Sequence, residues 1–388
     1  MEDSVLPQPA ACAPTEGGCR RCQSTAQVAP DGAVFLLLAA QNAHAQEALR
    51  RELDTAQIPF QLVGDVAAVP TPRARLAGSL LTWLEGLPEA TAQAVQAVFF
   101  AGSLDCPQSA VSAFVRAQPV PALLADAPHE WVRDALDEGW LFSVFHPIID
   151  AHDGGVFAYE ALIRARNPHT QAPIGAGPLI SAAGRLHLDH VLDQAARRAA
   201  IGCAAALHIP DVRYFINFLP NTIYDPEICL RTTMEAAHQH ALDPARLVFE
   251  VVETERIPDM GRLRRILDYY RSRGVGTAVD DMGAGHASLQ YLTELRPDFV
   301  KLDRDLVVRA EQDPSARRDM DMIIAKAKQL GISVIAEGIE TPAHSRLCTE
   351  AGVDYMQGFL FARPANPPEV LRAGLPCLPD AQWQAKAA

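Results

Sequence analysis

The chain of 388 residues and 42.0 kDa is too long for one small core and implies two domains, or one large barrel with an extension. Apolar residues make up 49% at a mean hydropathy of +0.01, the balance of a soluble globular protein. A formal net charge of −13 and a pI near 5.4 exclude a nonspecific grip on DNA, RNA or an anionic membrane, while a local pocket for a small phosphate compound stays compatible.

The first residues, MEDSVLPQPAACAP, have neither the basic start nor the apolar centre of a secretion signal, and AVFLLLAA (Ala33–Ala40) is far too short to span a bilayer. A cytoplasmic protein without membrane association is expected. Cys106, Cys203, Cys229, Cys348 and Cys377 are scattered without a pairing pattern, as reduced thiols are. Cys12, Cys19 and Cys22 cluster in CAPTEGGCRRC. They supply three of the four ligands of a closed zinc or iron–sulfur site, or they are reactive thiols in a flexible terminus rich in Ala, Pro and Gly. Residues 1–30 are set apart on that basis.

Over residues 31–130, AVFLLLAA is an apolar run, AHAQEALRRELDTA has helical periodicity, PFQLVGD reads as a strand, RARLAGSLLTWLEGL as helix and AVQAVFFAG as helix turning into strand. They predict a compact α/β or mostly helical module of ordinary domain size, without a chemical motif of its own and suited to a sensory or regulatory role. The prolines of PVPALLADAPHEW (Pro119–Trp131) mark a boundary.

From about residue 131 to 375 short apolar runs alternate with longer helical stretches, leaving 376–388 as a tail. The runs are SVFHPIID, GGVFAYEALIR, VRYFINFL, RLVFEVVE, VGTAVDD, DFVKLD, ISVIAEGIE and DYMQGFLFA, and two of the helical segments between them close on glycine. Strands alternating with helices imply a parallel sheet, and eight candidates fit a closed TIM-like (β/α)8 barrel.

Polar residues interrupt these runs in a repeating way: Glu160, Asn217, Glu250, the pair Asp280–Asp281, Lys301, Glu337 and Gln357. Each lies in or at the end of a strand otherwise built from core residues, where barrel strands converge on the catalytic face. Unpaired buried charge costs several kcal/mol, so a chance arrangement is implausible. In TAVDDMGAGHAS the two aspartates are expected where the strand runs out, with Gly283 and Gly285 turning the backbone. Oxygen ligands without clustered His or Cys suit Mg2+ or Mn2+ better than Zn2+, and two neighbouring ions explain the adjacent aspartates. Such a pair serves displacement at phosphorus, so placement alone points to a metal-assisted phosphoester hydrolase. His286 reads as a surface or hydrogen-bonding loop residue, Arg317–Arg318 as a solvated face, and Tyr269 and Tyr270 as candidates for a partner surface.

Seven motifs in order, YEALIR, INFLP, FEVVE, VDDMGAGHASL, PDFVKLD, AEGIET and QGFLFARP, resemble the EAL domain family of cyclic di-GMP phosphodiesterases in bacterial signalling. The resemblance implies a TIM-like barrel that hydrolyses cyclic di-GMP to linear pGpG with Mg2+ or Mn2+. By position, Glu160, Asn217, Glu250 and Asp280 resemble the first-metal ligands, with Asp280 bridging, and Asp281 and Glu337 the second-metal ligands. Lys301 resembles the lysine that contacts the attacking water, Arg164 a phosphate-holding residue, and Gln357 and Glu340 further groups that either face the substrate or support the metal ligands from behind. Glu253 resembles the acid that steadies the loop after Asp281, a segment tied to homodimerisation in the family. Met282, Ala284, His286 and Ala287 depart from the usual DDFGTGYSSL pattern, His146 stands where Gln is usual, and Ala165 where an aromatic is common. The second reading is a catalytically weak cyclic di-GMP receptor signalling through protein partners; a third makes the N-terminal region a redox or metal sensor with the barrel as output.

Overall fold

The computed structural model describes residues 34–71, 78–101, 104, 112–223, 225–252, 259–283 and 286–365. Cys12, Cys19, Cys22 and Glu253, and the segments 1–30 and 376–388, lie outside the described residues.

The N-terminal part is an α/β unit. Strands β1 (Val34–Ala40), β2 (Gln61–Val63), β3 (Val66–Thr71), β4 (Val95–Ala101) and β5 (Gln118–Pro119) form one antiparallel sheet in the order β2-β3-β1-β4-β5. Insertion of β3 between β1 and β2 is the split βαβ arrangement. β1 reads as an unbroken apolar run because both its faces are covered. Leu36 and Leu38 pack with Leu49, Leu53 and Leu84 of the helices, whereas Leu37 packs with Ala68, Val98 and Phe100. The proline-rich stretch supplies β5 and the helix Val120–Asp126, whose Val120 and Leu123 belong to this same core. Val132, Ala135 and Trp140 pack instead with Ala165 and Leu179, so the change of core falls between Ala127 and Trp131. Arg185 Nε meets Asp126 Oδ1 at 2.8 Å across that change.

The remainder is a closed barrel of β6 (Leu141–Asp150), β7 (Val156–Arg166), β9 (Arg213–Asn217), β10 (Leu247–Val252), β11 (Gly276–Met282), β12 (Phe299–Leu302), β13 (Ser333–Ala336) and β14 (Tyr355–Gln357). A short β8 (Pro173–Ile174) adds to β7. The barrel is mixed rather than wholly parallel, because β6 runs antiparallel to both its neighbours, β7 and β14. A hairpin joins β6 to β7, and so short a connection permits only antiparallel pairing. Aspartates and a threonine start the surrounding helices: Asp259, Asp303, Asp313 and Thr341 each accept a backbone N–H of the first turn. Gly331, at φ 73, ends the helix Pro314–Leu330. Tyr270 is fully buried with its ring stacked on Phe249, so it belongs to the core and not to a partner surface. No helix of the described residues is long and apolar enough to cross a membrane.

One close backbone approach lies just beyond β13 and β14, where Gly358 sits against Ile339. A Cβ on Gly358 would lie 2.2 Å from the Ile339 carbonyl oxygen and 2.3 Å from its nitrogen, and backbone cannot step aside as a side chain can. Gly358→Ala is therefore expected to cost about 1–3 kcal/mol or more. Gly177→Ala, in a helix with open space around the added methyl, should leave stability unchanged or slightly raised. Thermal melts of the two variants check the contrast.

Candidate active site

Side chains alternate between the two faces of a strand, and that period of two builds the site. Each parallel strand carries one inward apolar residue and then, two positions on, an inward polar one. The pairs are Ala158 and Glu160, Phe215 and Asn217, Val248 and Glu250, Ala278 and Asp280, Phe299 and Lys301, Ile335 and Glu337, Tyr355 and Gln357. β6 runs the other way and brings in Ile148 and, two positions earlier, His146. The residues between, such as Phe249, Val279 and Val300, face the helices. An apolar plug thus floors a polar layer at the C-terminal ends of the strands.

At the centre is the Lys301 ammonium, fully buried. It lies 2.6 Å from Glu337 Oε1, 3.2 Å from Glu250 Oε2, 3.3 Å from Asp280 Oδ1 and 3.6 Å from Glu160 Oε1. Asn217 Nδ2 donates to Glu250 Oε1 at 2.8 Å and to Glu160 Oε1 at 3.2 Å, and Gln357 Nε2 donates to Glu160 Oε2 at 2.8 Å. The acids form two overlapping triads, Glu160–Glu250–Asp280 and Asp280–Asp281–Glu337, each with ligand atoms within 4.8 Å of one another. Asp280 is common to both.

Asp281 remains within β11 but adopts φ 57, and its N–H donates to Asp280 Oδ1 at 2.8 Å. The left-handed step therefore falls on Asp281 itself and not on Gly283, whose φ is not positive. Aspartate tolerates that conformation better than most residues. The step turns the second carboxylate out of the first triad while keeping it beside Asp280.

Four carboxylates facing one ammonium, with Asp281 beside them, cannot all ionise in a buried space without compensation. Burial and the neighbouring acids push Glu250 well above the usual carboxylate range despite Lys301, and burial likewise raises Asp280. Asp281 is pushed up to about 6 by burial and then by Asp280 and Asp303, and Glu337 to about 8 by burial and its acidic neighbours. Glu160 goes the other way, because Lys301, Gln357 and His146 together outweigh its burial. Burial alone would lower Lys301, yet the four acids around it raise it well above its ordinary value, so it stays charged. Glu250 Oε2 is buried without a hydrogen bond. All-oxygen donors, excess negative charge and a shared carboxylate fit a pair of hard divalent cations, with the Asn217 amide as a neutral donor beside them.

Residues 129–364 match the family model of the EAL domain. The chain belongs to the EAL domain family. Cyclic di-GMP phosphodiesterase NbdA of Pseudomonas aeruginosa is 32% identical over 246 residues, 61% of this chain and 30% of NbdA, so the chain spans about a third of that relative. A standalone EAL protein of Vibrio cholerae, solved in a c-di-GMP-bound form, is 34% identical with a TM-score of 0.51, covering 60% of this chain and 98% of its own. BlrP1 of Klebsiella pneumoniae, at 20% identity and a TM-score of 0.53, shares the fold over 86% of this chain and 96% of its own.

Several residues of this EAL domain stand apart from the acidic cluster. Arg164 lies on β7 on the same face as Glu160, roughly 13 Å further along the strand, and its Nη1 donates to the Ile163 carbonyl at 2.7 Å. Glu340 is exposed and takes Arg304 Nε and Nη2 at 3.1 and 3.0 Å. His146 sits opposite Glu160 in the β6–β7 register, with Nε2 3.2 Å from the Ala362 carbonyl; burial holds its pKa below the ordinary histidine value. Asp303 and Arg304 did not stand out in the sequence. Asp303 caps the next helix and pushes Asp281 upward, and the capping pattern in LDRDL is the local signal that would have found it.

The raised carboxyls set the sign of a pH dependence. In cation-free protein the folded state keeps protons on Asp281 up to about 6 and on Glu337 up to about 8, which the unfolded chain has already released. Folded protein then binds more protons than unfolded, and stability falls as pH rises through this window. Melting temperature in EDTA should decline from pH 5.5 to 8.5, and Glu337→Gln should flatten the decline. Mn2+ should raise it more at pH 8 than at pH 6, because ligation requires the protons to leave. A flat or rising profile in EDTA would contradict this account.

Proposed function

We propose that this protein hydrolyses one phosphodiester of cyclic di-GMP to give linear pGpG, using two divalent cations, Mg2+ or Mn2+. The observation carrying this reading is the pair of carboxylate triads sharing Asp280 around a buried lysine, within a chain of the EAL domain family. In it, Glu160, Asn217, Glu250 and Asp280 hold the first cation, and Asp280, Asp281 and Glu337 the second. Bound there, two cations would supply neutralisation of the phosphate charge and a lowered pKa for a water.

The chain's own groups do the rest. Lys301 Nζ, kept charged by its acidic shell, orients the attacking water and balances the negative charge that builds on phosphorus. Gln357 fixes Glu160 through the Nε2 hydrogen bond. Arg164 stands above the cluster on β7, where its guanidinium grips a substrate phosphate. The NbdA likeness and the bound ligand of the Vibrio cholerae protein support cyclic di-GMP as the substrate. The α/β unit ahead of the barrel regulates the reaction, and the protein works in the cytoplasm as a homodimer through the barrel.

Purified protein incubated with cyclic di-GMP and Mn2+ should form pGpG, resolved by chromatography, and lose turnover in EDTA. Glu160→Gln should lower turnover at least about a hundredfold, since even outer partners of metal ligands cost tenfold to a hundredfold. Tight cyclic di-GMP binding without cation-dependent turnover would overturn the enzyme reading and make the protein a receptor.

A further inference from the structure

The segment Glu337–Glu340 after β13 carries one acid of the second triad, and both neighbouring strands pin it. On the β12 side, Glu337 N–H donates to the Leu302 carbonyl at 3.2 Å. On the β14 side, Ile339 N–H donates to the Gln357 carbonyl at 3.0 Å, and Leu360 N–H to the Ile339 carbonyl at 2.9 Å. Between them is Gly338, at φ 64, and the Arg304 stem lies directly over it. A Cβ on Gly338 would fall 2.2 Å from Arg304 Cγ and 2.7 Å from its Cβ. Beyond the glycine the guanidinium reaches Glu340 with Nε and Nη2, both on Oε1, at 3.1 and 3.0 Å. Glu340 N–H in turn points to His344 Nδ1 at 3.4 Å, and His344 Nε2 lies 3.2 Å from Glu311 Oε2.

The contacts run parallel on the two sides of one backbone. Inside the barrel Lys301 meets Glu337; outside it Arg304, three residues after Lys301, meets Glu340, three residues after Glu337. From this we infer that Arg304 and Glu340 form a positioning clasp: Arg304 straps the loop over Gly338 and sets where the Glu337 carboxylate stands for the second cation. Glu340 then acts through Glu337 and not by touching substrate. The inference rests on the two-cation reading given above. An exposed ion pair alone adds little to global stability, so the effect belongs in the local order of this loop and in cation affinity.

Hydrogen–deuterium exchange of cation-free protein, with Mn2+ titration calorimetry, tests the clasp. In Arg304→Ala, exchange at residues 338–340 should speed up about tenfold, and Mn2+ should bind the weaker site about tenfold less tightly. Glu340→Gln should do the same, with KM for cyclic di-GMP at saturating Mn2+ within about twofold of the parent. The swap Arg304→Glu with Glu340→Arg should recover most of the Mn2+ affinity. A Glu340→Gln variant with raised KM, parental Mn2+ affinity and parental exchange would make Glu340 a substrate contact and overturn the clasp. Parental exchange and affinity in Arg304→Ala would also overturn it. Failure of the parent protein to bind Mn2+ would count against the two-cation reading itself, while the exchange comparison would still decide whether Arg304 holds the loop.

Discussion

The structure turns on one unfavourable arrangement: four carboxylates around a single lysine, with a fifth beside them, at the C-terminal mouth of the barrel. Taking an ion out of water costs several kcal/mol, and an ion pair in the interior recovers this only when every remaining lone pair is satisfied. Here one ammonium is shared among four carboxylates, and Glu250, Asp280, Asp281 and Glu337 are all pushed toward their protonated forms. The apolar plug beneath and the packed helices outside supply the stability that tolerates this. Added positive charge would relieve the repulsion that one lysine leaves uncompensated.

Much of that arrangement was legible in the chain because strands are unforgiving of charge. A glutamate inside VFEVVE or a lysine inside FVKL breaks an apolar run at a position whose neighbours face the core, so its inward direction follows from the period of two. The N-terminal sheet was legible only in part, from PFQLVGD and the helix-to-strand change at Ala94–Val95, because an unbroken apolar run such as AVFLLLAA fits helix and strand alike. The direction of β6 was not, because SVFHPIID alternates alike in either sense and only the short connection to β7 decides it. Nor could composition show that Asp281 and not Gly283 takes the left-handed conformation, since glycine is the residue that ordinarily does so.

The least legible part was Arg304 with Glu340. The two are 36 residues apart and neither breaks a strand pattern, so Glu340 is marked only by the family resemblance and Arg304 by nothing in the sequence. Their meeting depends on β12 and β13 being neighbours in the barrel and on Gly338 leaving room for the Arg304 stem. A long-range contact of this kind is a property of the closed sheet and not of either segment.

The two triads also differ in how firmly the chain holds them. Glu160, Asn217, Glu250 and Asp280 all stand in strands paired on both sides, so moving them would mean breaking the barrel. Asp281 and Glu337 are half-buried, the first on a left-handed step with its N–H on the Asp280 carboxylate, the second just beyond the end of β13 with its N–H on the Leu302 carbonyl. A signal arriving from outside the barrel can shift a loop at far lower cost than a paired strand. On the two-cation reading proposed above, the second triad is the one that a small displacement of Glu337 would alter while the first stays in its paired strands.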